Sequence, residues 1–256
     1  MSSKNGKMIA VWGSRDAGKT TVSVKLALSL AKQQKESLVV LTDVNAPDMK
    51  CILPVSKELK SMGNVWVMPD VDEATIYNSC VVTPSEYICM MGYTPGENAF
   101  SYSDSTKENV FKVYEEMRSI VDYVIVDCVP NLAYNMLTAV ALETADNVVR
   151  IGEATTKSFS FFDSNVPLIV DNRYGKENHI RVLAKTRTTQ PVEIAANRIG
   201  NDIELPYSEE VALQMMEGKL FTACSDSTYN AGIDKIVSLL EKEEMEGLID
   251  YERGKC

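Results

Sequence analysis

The chain has 256 residues, and 26 lysines and arginines against 36 aspartates and glutamates give it a formal net charge of −10. Hydrophobic residues make up 45% and charged residues 24%, a balance typical of globular proteins that excludes a disordered chain, a collagen-like fibre and a coiled-coil rod. An acidic protein has no general attraction to DNA or to an anionic membrane, so neither specific nucleic-acid binding nor stable membrane binding is expected. The apolar run near the N-terminus is too short for a signal peptide and no window approaches a membrane span, which predicts a cytoplasmic protein.

Apolar periodicity predicts alternating strands and helices along most of the chain. Strands are expected at residues 8–12, 37–42, 123–126, 147–151 and 180–184, with weaker signals at 65–68 and 88–91. Helices are expected at residues 19–34, 106–119, 134–144, 157–170 and 231–244. This alternation predicts an α/β fold with a mostly parallel central sheet and helices on both faces. Because no linker rich in Pro, Gly or Ser divides the sequence, residues 1–256 are expected to form a single domain.

A loop of the pattern G-x-x-x-x-G-K-[ST] lies between the first predicted strand and the first predicted helix. Its residues are Gly13, Ser14, Arg15, Asp16, Ala17, Gly18, Lys19 and Thr20. Glycines let the backbone N–H groups of such a loop face phosphate oxygens, and the helix N-terminus adds the positive end of its dipole. The pattern in this context predicts a nucleotide site, with Lys19 on the β- and γ-phosphates and Thr20 on Mg²⁺. The alternative is a glycine turn that happens to precede a lysine.

Aspartates follow two other predicted strands. Asp127 ends the apolar run 123–126 and is expected to hold the hydration shell of Mg²⁺. Asp43 follows the second predicted strand, where a carboxylate orients an attacking water beside the γ-phosphate. Asp48, in the same loop, is a weaker candidate and a simple helix cap is its alternative. A carboxylate after a strand is usually a turn residue or a cap, but three converging strand ends favour catalytic roles for Lys19, Asp43 and Asp127.

These residues, taken in order, resemble the MinD/ParA family of deviant Walker A ATPases. The resemblance covers most of the chain: the loop, the Asp43 region, residues 121–130 (VDYVIVDCVP), residues 141–146 (ALETAD), and residues 205–208 (LPYS) followed by Val211 and Gly218. Members of this family hold two ATP molecules between two subunits and position a division site, a plasmid, a pilus or a secretion apparatus. The resemblance implies ATP and Mg²⁺ as cofactors, a homodimer with ATP, and a protein partner that the sequence does not identify.

The resemblance also implies roles for single residues. Gly18, Lys19, Thr20 and Thr21 correspond to the family's phosphate contacts, and Pro206 and Tyr207 to the backbone that wraps the adenine.

The chain departs from the family at its signature lysine, which crosses to the partner's nucleotide. Ser14 stands at that position, and Arg15 follows it. Arg15 either supplies the crossing charge from one position over, since a guanidinium also binds phosphate oxygens, or is a solvated loop residue. A substituted signature lysine resembles the CpaE/TadZ branch, which localises Tad-type pilus machinery. The asparagine that reads adenine is replaced as well, because residues 180–184 lead into Lys185 and Thr186, so base specificity is open.

The last predicted helix carries an apolar stripe whose members are Ile233, Ile236, Val237 and Leu240. The residues that follow, at 241–246, are mostly acidic, whereas helices that lie on membranes carry Lys and Arg on the polar face. The stripe is therefore expected to pack on the core.

Two functions of different classes follow. One is an ATPase with slow Mg²⁺-dependent hydrolysis whose ATP-bound dimer positions or recruits a cellular assembly; the other is an ATP-binding localisation scaffold with little or no hydrolysis. The presence of Lys19, Thr20, Asp43 and Asp127 favours the ATPase, and Ser14 favours the scaffold. A third, weaker reading is an enzyme that activates a small carboxylate with ATP, for which no substrate pocket is recognisable.

Overall fold

An eight-stranded sheet forms the centre of the computed structural model, which describes residues 4–53, 58–175 and 178–253. The strands are β1 (Lys7–Gly13), β2 (Ser37–Leu41), β3 (Val81–Val82), β4 (Ile88–Met91), β5 (Tyr123–Asp127), β6 (Asn147–Glu153), β7 (His179–Thr186) and β8 (Ile203–Pro206). Their order across the sheet is β3-β4-β2-β5-β1-β6-β7-β8. The pair β3–β4 is antiparallel and the other neighbours are parallel.

Helices cover both faces of this sheet, which confirms the predicted α/β class. They are α1 (Lys19–Lys32), α2 (Met49–Ile52), α3 (Glu73–Ser79), α4 (Lys107–Ile120), α5 (Met136–Thr144), α6 (Thr156–Asn165), α7 (Val192–Ile199), α8 (Glu209–Met216) and α9 (Ser227–Arg253). Buried side chains of α1, α2, α8 and α9 pack in one apolar cluster, and those of α3 to α7 pack in a second cluster on the opposite face.

The strand β1 shows why a parallel strand covered on both faces is apolar throughout. Ile9 and Val11 belong to the cluster under α1 and α9, whereas Ala10 and Trp12 belong to the opposite cluster. Successive side chains of a strand point to opposite faces, so a strand with a helix layer on each side needs apolar residues at every position.

Strand register brings the predicted site residues to one edge of the sheet. Asp127, the last residue of β5, pairs with Val11 of β1 on one side and with Leu41 of β2 on the other. The loops that follow these three strands therefore leave the sheet side by side. This is the carboxyl edge, where open α/β sheets bind their ligands.

Three predicted elements differ from the structure. The last helix, expected at residues 231–244, spans Ser227–Arg253. The strand expected at residues 65–68 is wrong: Val65–Val67 form a single 3₁₀ turn, with Val65 and Trp66 buried. The helix expected at residues 157–170 ends at Asn165 and continues as the 3₁₀ turn Val166–Ile169, where Pro167 lacks the N–H that an α-helix needs.

The final helix, α9, packs as predicted. Its apolar stripe is buried against α1 and β8, with Ile233, Ile236, Val237 and Leu240 at most 3% exposed. In the described part of the chain, no helix combines the length and the apolar character needed to cross a membrane.

Candidate active site

The loop from Gly13 to Thr20 joins β1 to α1 in a conformation that depends on glycine. A Cβ built on Gly13, whose φ is 154°, would lie 1.9 Å from the carbonyl oxygen of Ile151 in β6, so only glycine fits against this strand. Gly18 also has a positive φ, of 93°, and Asp16 has a φ of 61°. The backbone N–H of Ser14 donates to the Ile151 carbonyl at 3.1 Å, which attaches the start of the loop to the sheet.

The middle of this loop leaves backbone donors open. No residue that the structure describes accepts a hydrogen bond from the N–H groups of Arg15, Asp16 or Gly18. The loop leads directly into α1, whose N-terminus has no side-chain cap. Open N–H groups beside the positive end of a helix dipole suit the phosphate groups of a nucleotide.

Lys19 and Thr20, the first two residues of α1, face the loop and the sheet edge. The Lys19 ammonium donates to the carbonyl oxygen of Ser14 at 3.0 Å, across the loop. Burial lowers the pKa of Lys19, while the carboxylate of Asp127 acts in the opposite direction. The Thr20 hydroxyl donates to Oδ2 of Asp127 at 2.6 Å.

Asp127 is a buried carboxylate whose second oxygen has no partner. Its side chain is 7% exposed, and among the described residues nothing donates to its Oδ1. Burial raises the pKa of Asp127 to about 7, against the hydrogen bond from Thr20 and the charge of Lys19. A buried unpaired oxygen beside a threonine hydroxyl fits a hard cation such as Mg²⁺, which takes oxygen ligands.

The loop after β2 carries two further carboxylates in different settings. Oδ1 of Asp43 accepts from the backbone N–H groups of Asn45 at 2.9 Å and Ala46 at 3.1 Å, so it is held by its own turn. Oδ2 of Asp48 lies 3.3 Å from the Thr20 hydroxyl. Burial, and then the charge of Asp43, raise the pKa of Asp48.

A mostly apolar cavity lies on the other side of the loop. Its walls are Ala17, Gly18, Thr21, Val22, Ala184, Lys185, Leu205, Pro206, Tyr207, Ser208, Val211, Ala212 and Tyr229. The guanidinium of Arg187 lies 3.7 Å from the centre of the Tyr207 ring and covers one face of it. This cavity adjoins the phosphate loop through Ala17, Gly18 and Thr21.

The sequence did not predict the position of Lys185, which closes this side of the loop. Its ammonium donates to the carbonyl oxygen of Asp16 and forms an ion pair with Glu153 at 2.9 Å. Its Cε would be in ordinary contact with a Cβ built on Gly18. The signal was present, because polar residues that end parallel strands meet at the carboxyl edge, and Lys185 lies near the end of β7.

The structure brings most of the predicted site residues together, in two adjoining groups. Lys19, Thr20, Asp43 and Asp127 lie in one cluster, and Thr21, Pro206 and Tyr207 line the adjoining cavity.

Ser14 and Arg15, in contrast, face away from this cluster. Ser14 is buried, with its hydroxyl 3.1 Å from that of Ser158 in α6. Arg15 is exposed, and no described residue holds its guanidinium. A groove of about 530 Å³ between the loop and α6 has Arg15 and Lys157 in its walls.

Comparison with known proteins identifies a family and a fold. A family model described as "AAA domain" matches residues 6–160. No curated protein sequence matches the chain.

Solved structures match nearly the whole fold. The MinD protein of Pyrococcus horikoshii complexed with Mg-ADP is 14% identical, with a TM-score of 0.70 over 95% of this chain and 98% of that one. A ParA family ATPase from Chlorobium tepidum is 14% identical, with a TM-score of 0.74 over 90% and 97%. MinD in the MinC:MinD cell division protein complex of Aquifex aeolicus is 15% identical, with a TM-score of 0.71 over 89% of this chain and 93% of that one.

Proposed function

The chain belongs to the AAA-domain family and has the MinD/ParA fold, and from this premise we propose that it binds Mg·ATP at the loop and hydrolyses it slowly. The ATP-bound form is a homodimer that positions or recruits a cellular assembly. The observation that carries this proposal is the Thr20 hydroxyl bonded to Asp127, whose other oxygen is buried without a described partner. Such an arrangement costs stability in the free protein, and a cation bound to the second oxygen would offset that cost.

In this proposal each residue of the cluster has one task. The backbone of residues 13–21 and the ammonium of Lys19 bind the phosphates, and Thr20 and Asp127 hold Mg²⁺. When bound, Mg²⁺ neutralises charge on the phosphate oxygens. Asp43 orients the attacking water, and Pro206 and Tyr207 lie against the base.

The second candidate is a scaffold that binds ATP without efficient hydrolysis. Ser14 favours it, because this side chain is buried against Ser158 and carries no charge to a partner's nucleotide. A relation to the CpaE/TadZ branch depends on the same substitution and stays a prediction.

The partner in this proposal is another protein. The matched MinD of Aquifex aeolicus forms a complex with MinC, and this chain's net charge of −10 disfavours a nucleic-acid cargo. A single domain over residues 1–256 and a cytoplasmic location also stay predictions; the continuous eight-stranded sheet supports the first.

ATP hydrolysis by the full chain tests the proposal, with Lys19→Ala as the variant. Loss of the phosphate-binding ammonium should lower the rate of ATP turnover by about 100-fold or more. Lys32→Ala is the matched control, because Lys32 is an exposed lysine at the other end of the same helix. If ATP binds but the native protein never exceeds the Lys19→Ala blank, the scaffold is correct; if ATP does not bind, both functions are wrong.

A further inference from the structure

Asp48 directs its carboxylate toward the phosphate loop. Its Oδ2 lies 3.3 Å from the Thr20 hydroxyl, the same hydroxyl that donates to Asp127 at 2.6 Å. Two carboxylates from different strand ends thus converge on one threonine. Asp48 is half-buried in this position.

A capping role does not explain this orientation. Asp48 precedes the four-residue helix α2, but its side chain accepts no capping hydrogen bond from that helix. At the start of α3, by comparison, Asp72 caps its helix by accepting from the N–H of Thr75. The side chain of Asp48 therefore accepts no hydrogen bond from the N–H groups of α2 and points toward Thr20 in α1.

Beside Thr20, one carboxylate oxygen has no hydrogen-bond donor among the described residues. A threonine hydroxyl carries one proton, so it can donate to Asp127 or to Asp48 but not to both. The ammonium of Lys19 donates to the Ser14 carbonyl instead. Oδ1 of Asp127 is buried with no donor among the described residues, which is an independent sign of a missing ligand.

Asp43, in contrast, has one carboxylate oxygen occupied by the N–H groups of Asn45 and Ala46. Asp48 makes no such bond within its loop.

We propose that Asp48 is a second carboxylate of the magnesium site, acting together with Thr20 and Asp127. The inference rests on the proposed nucleotide function and adds to it a residue that fixes the loop between β2 and α2 to the bound metal. Mg²⁺ is usually held by one or two carboxylates together with water and substrate phosphates. No group of three His, Cys, Asp or Glu side chains able to hold a metal occurs in the described ranges, so the remaining ligands must come from nucleotide and water.

Binding of ADP to the full-length chain, with MgCl₂ or with EDTA, tests this role without requiring hydrolysis. Mg²⁺ should strengthen ADP binding to the native protein, and Asp48→Asn should reduce that enhancement by roughly 10-fold. The affinity for ADP in EDTA should stay the same. The unfolding temperature should not fall, because the substitution removes one of two neighbouring carboxylates. Glu36→Gln is the matched control: it removes the same charge at the opposite edge of the sheet, where Glu36 is exposed before β2.

Each other result has a definite meaning. An unchanged Mg²⁺ enhancement in Asp48→Asn overturns the inference. So does an equal loss of affinity in MgCl₂ and in EDTA, since this would indicate a structural role. If the native chain binds ADP under neither condition, the proposed function itself fails.

Discussion

Asp127 shows how a single residue can trade stability for binding. Its pKa in the folded protein is about 7, above the value of 3.8 for an unperturbed aspartate, because it is buried with one unpaired oxygen. The folded state therefore holds a proton that the unfolded state releases between these two values. Stability of the free protein should fall as pH rises from about 4 to about 7, and the whole cost is present above that.

Asp127→Asn should remove this cost and abolish the effect of Mg²⁺ on nucleotide binding. At about pH 8 the variant should be more stable than the native protein by about 1–3 kcal/mol, and at about pH 5 the difference should shrink. Denaturant unfolding at the two pH values measures this. If the free energy of unfolding changes with pH in the native protein as it does in the variant, the burial of Asp127 is not the cause of the change.

The positions of Lys19, Thr20 and Asp127 could be predicted because a local pattern and a strand end place them. The direction of Asp48 could not be predicted. A role at the site and a simple helix cap both agree with the sequence. Only the packing of the loop after β2 against α1 decides between them.

At the level of elements, α1 connects the phosphate loop to the segment that carries Pro206 and Tyr207. Lys25, in the middle of α1, is 5% exposed. Its ammonium donates to Oε1 of Gln214 at 2.6 Å and to the carbonyl oxygens of Leu220 at 2.8 Å and Thr222 at 3.1 Å. All three acceptors are uncharged, so hydrogen bonds rather than an ion pair hold α8 and the following turn on α1.

Lys25→Met should loosen this connection. Three acceptors would lose their donor, at a cost of about 2–3 kcal/mol in the free energy of unfolding. Nucleotide affinity should fall equally with and without Mg²⁺, because the base side moves and the metal site does not. Lys32→Met, at an exposed position of the same helix, is the control. A variant with native stability would mean that water replaces the lost donor.

Helices and strands with a long apolar periodicity were predicted correctly, whereas short apolar runs led to errors. The buried run at Val65 and Trp66 could have been a strand or a turn, since a few apolar residues fit both. The strand β8 was missed because it has four residues and ends in a proline. Pairing with β7 decides its structure, and no local propensity indicates that partner.

For the whole molecule, the alternation of elements predicted the class but not the strand order. That order places β1 between β5 and β6, so the loop after β1 meets Asp127 on one side and α6 on the other. The order depends on which helices cover which face, and these contacts join residues far apart in sequence. The groove between the loop and α6 follows from this order.

The proposed ATP-bound dimer would need an exposed surface at the carboxyl edge, and this groove opens there. Arg15 lies in its wall and is exposed. Tyr134, close after Asp127 in the chain, is 89% exposed, and Met136 is 41% exposed. Exposed apolar side chains and an exposed guanidinium suit a surface that another subunit covers.

If Arg15 crosses to the partner's phosphates, turnover per subunit should rise with protein concentration, and light scattering should show twice the monomer mass with ATP. Arg15→Ala should then lower turnover by about 10-fold or more, because it removes a charge that stabilises the transferring phosphoryl group. Arg173→Ala is the control: Arg173 is an exposed arginine before β7, at the opposite edge of the sheet. Native turnover in Arg15→Ala at every concentration would identify Arg15 as a solvated loop residue, and a dimer that still forms would have to meet through other contacts.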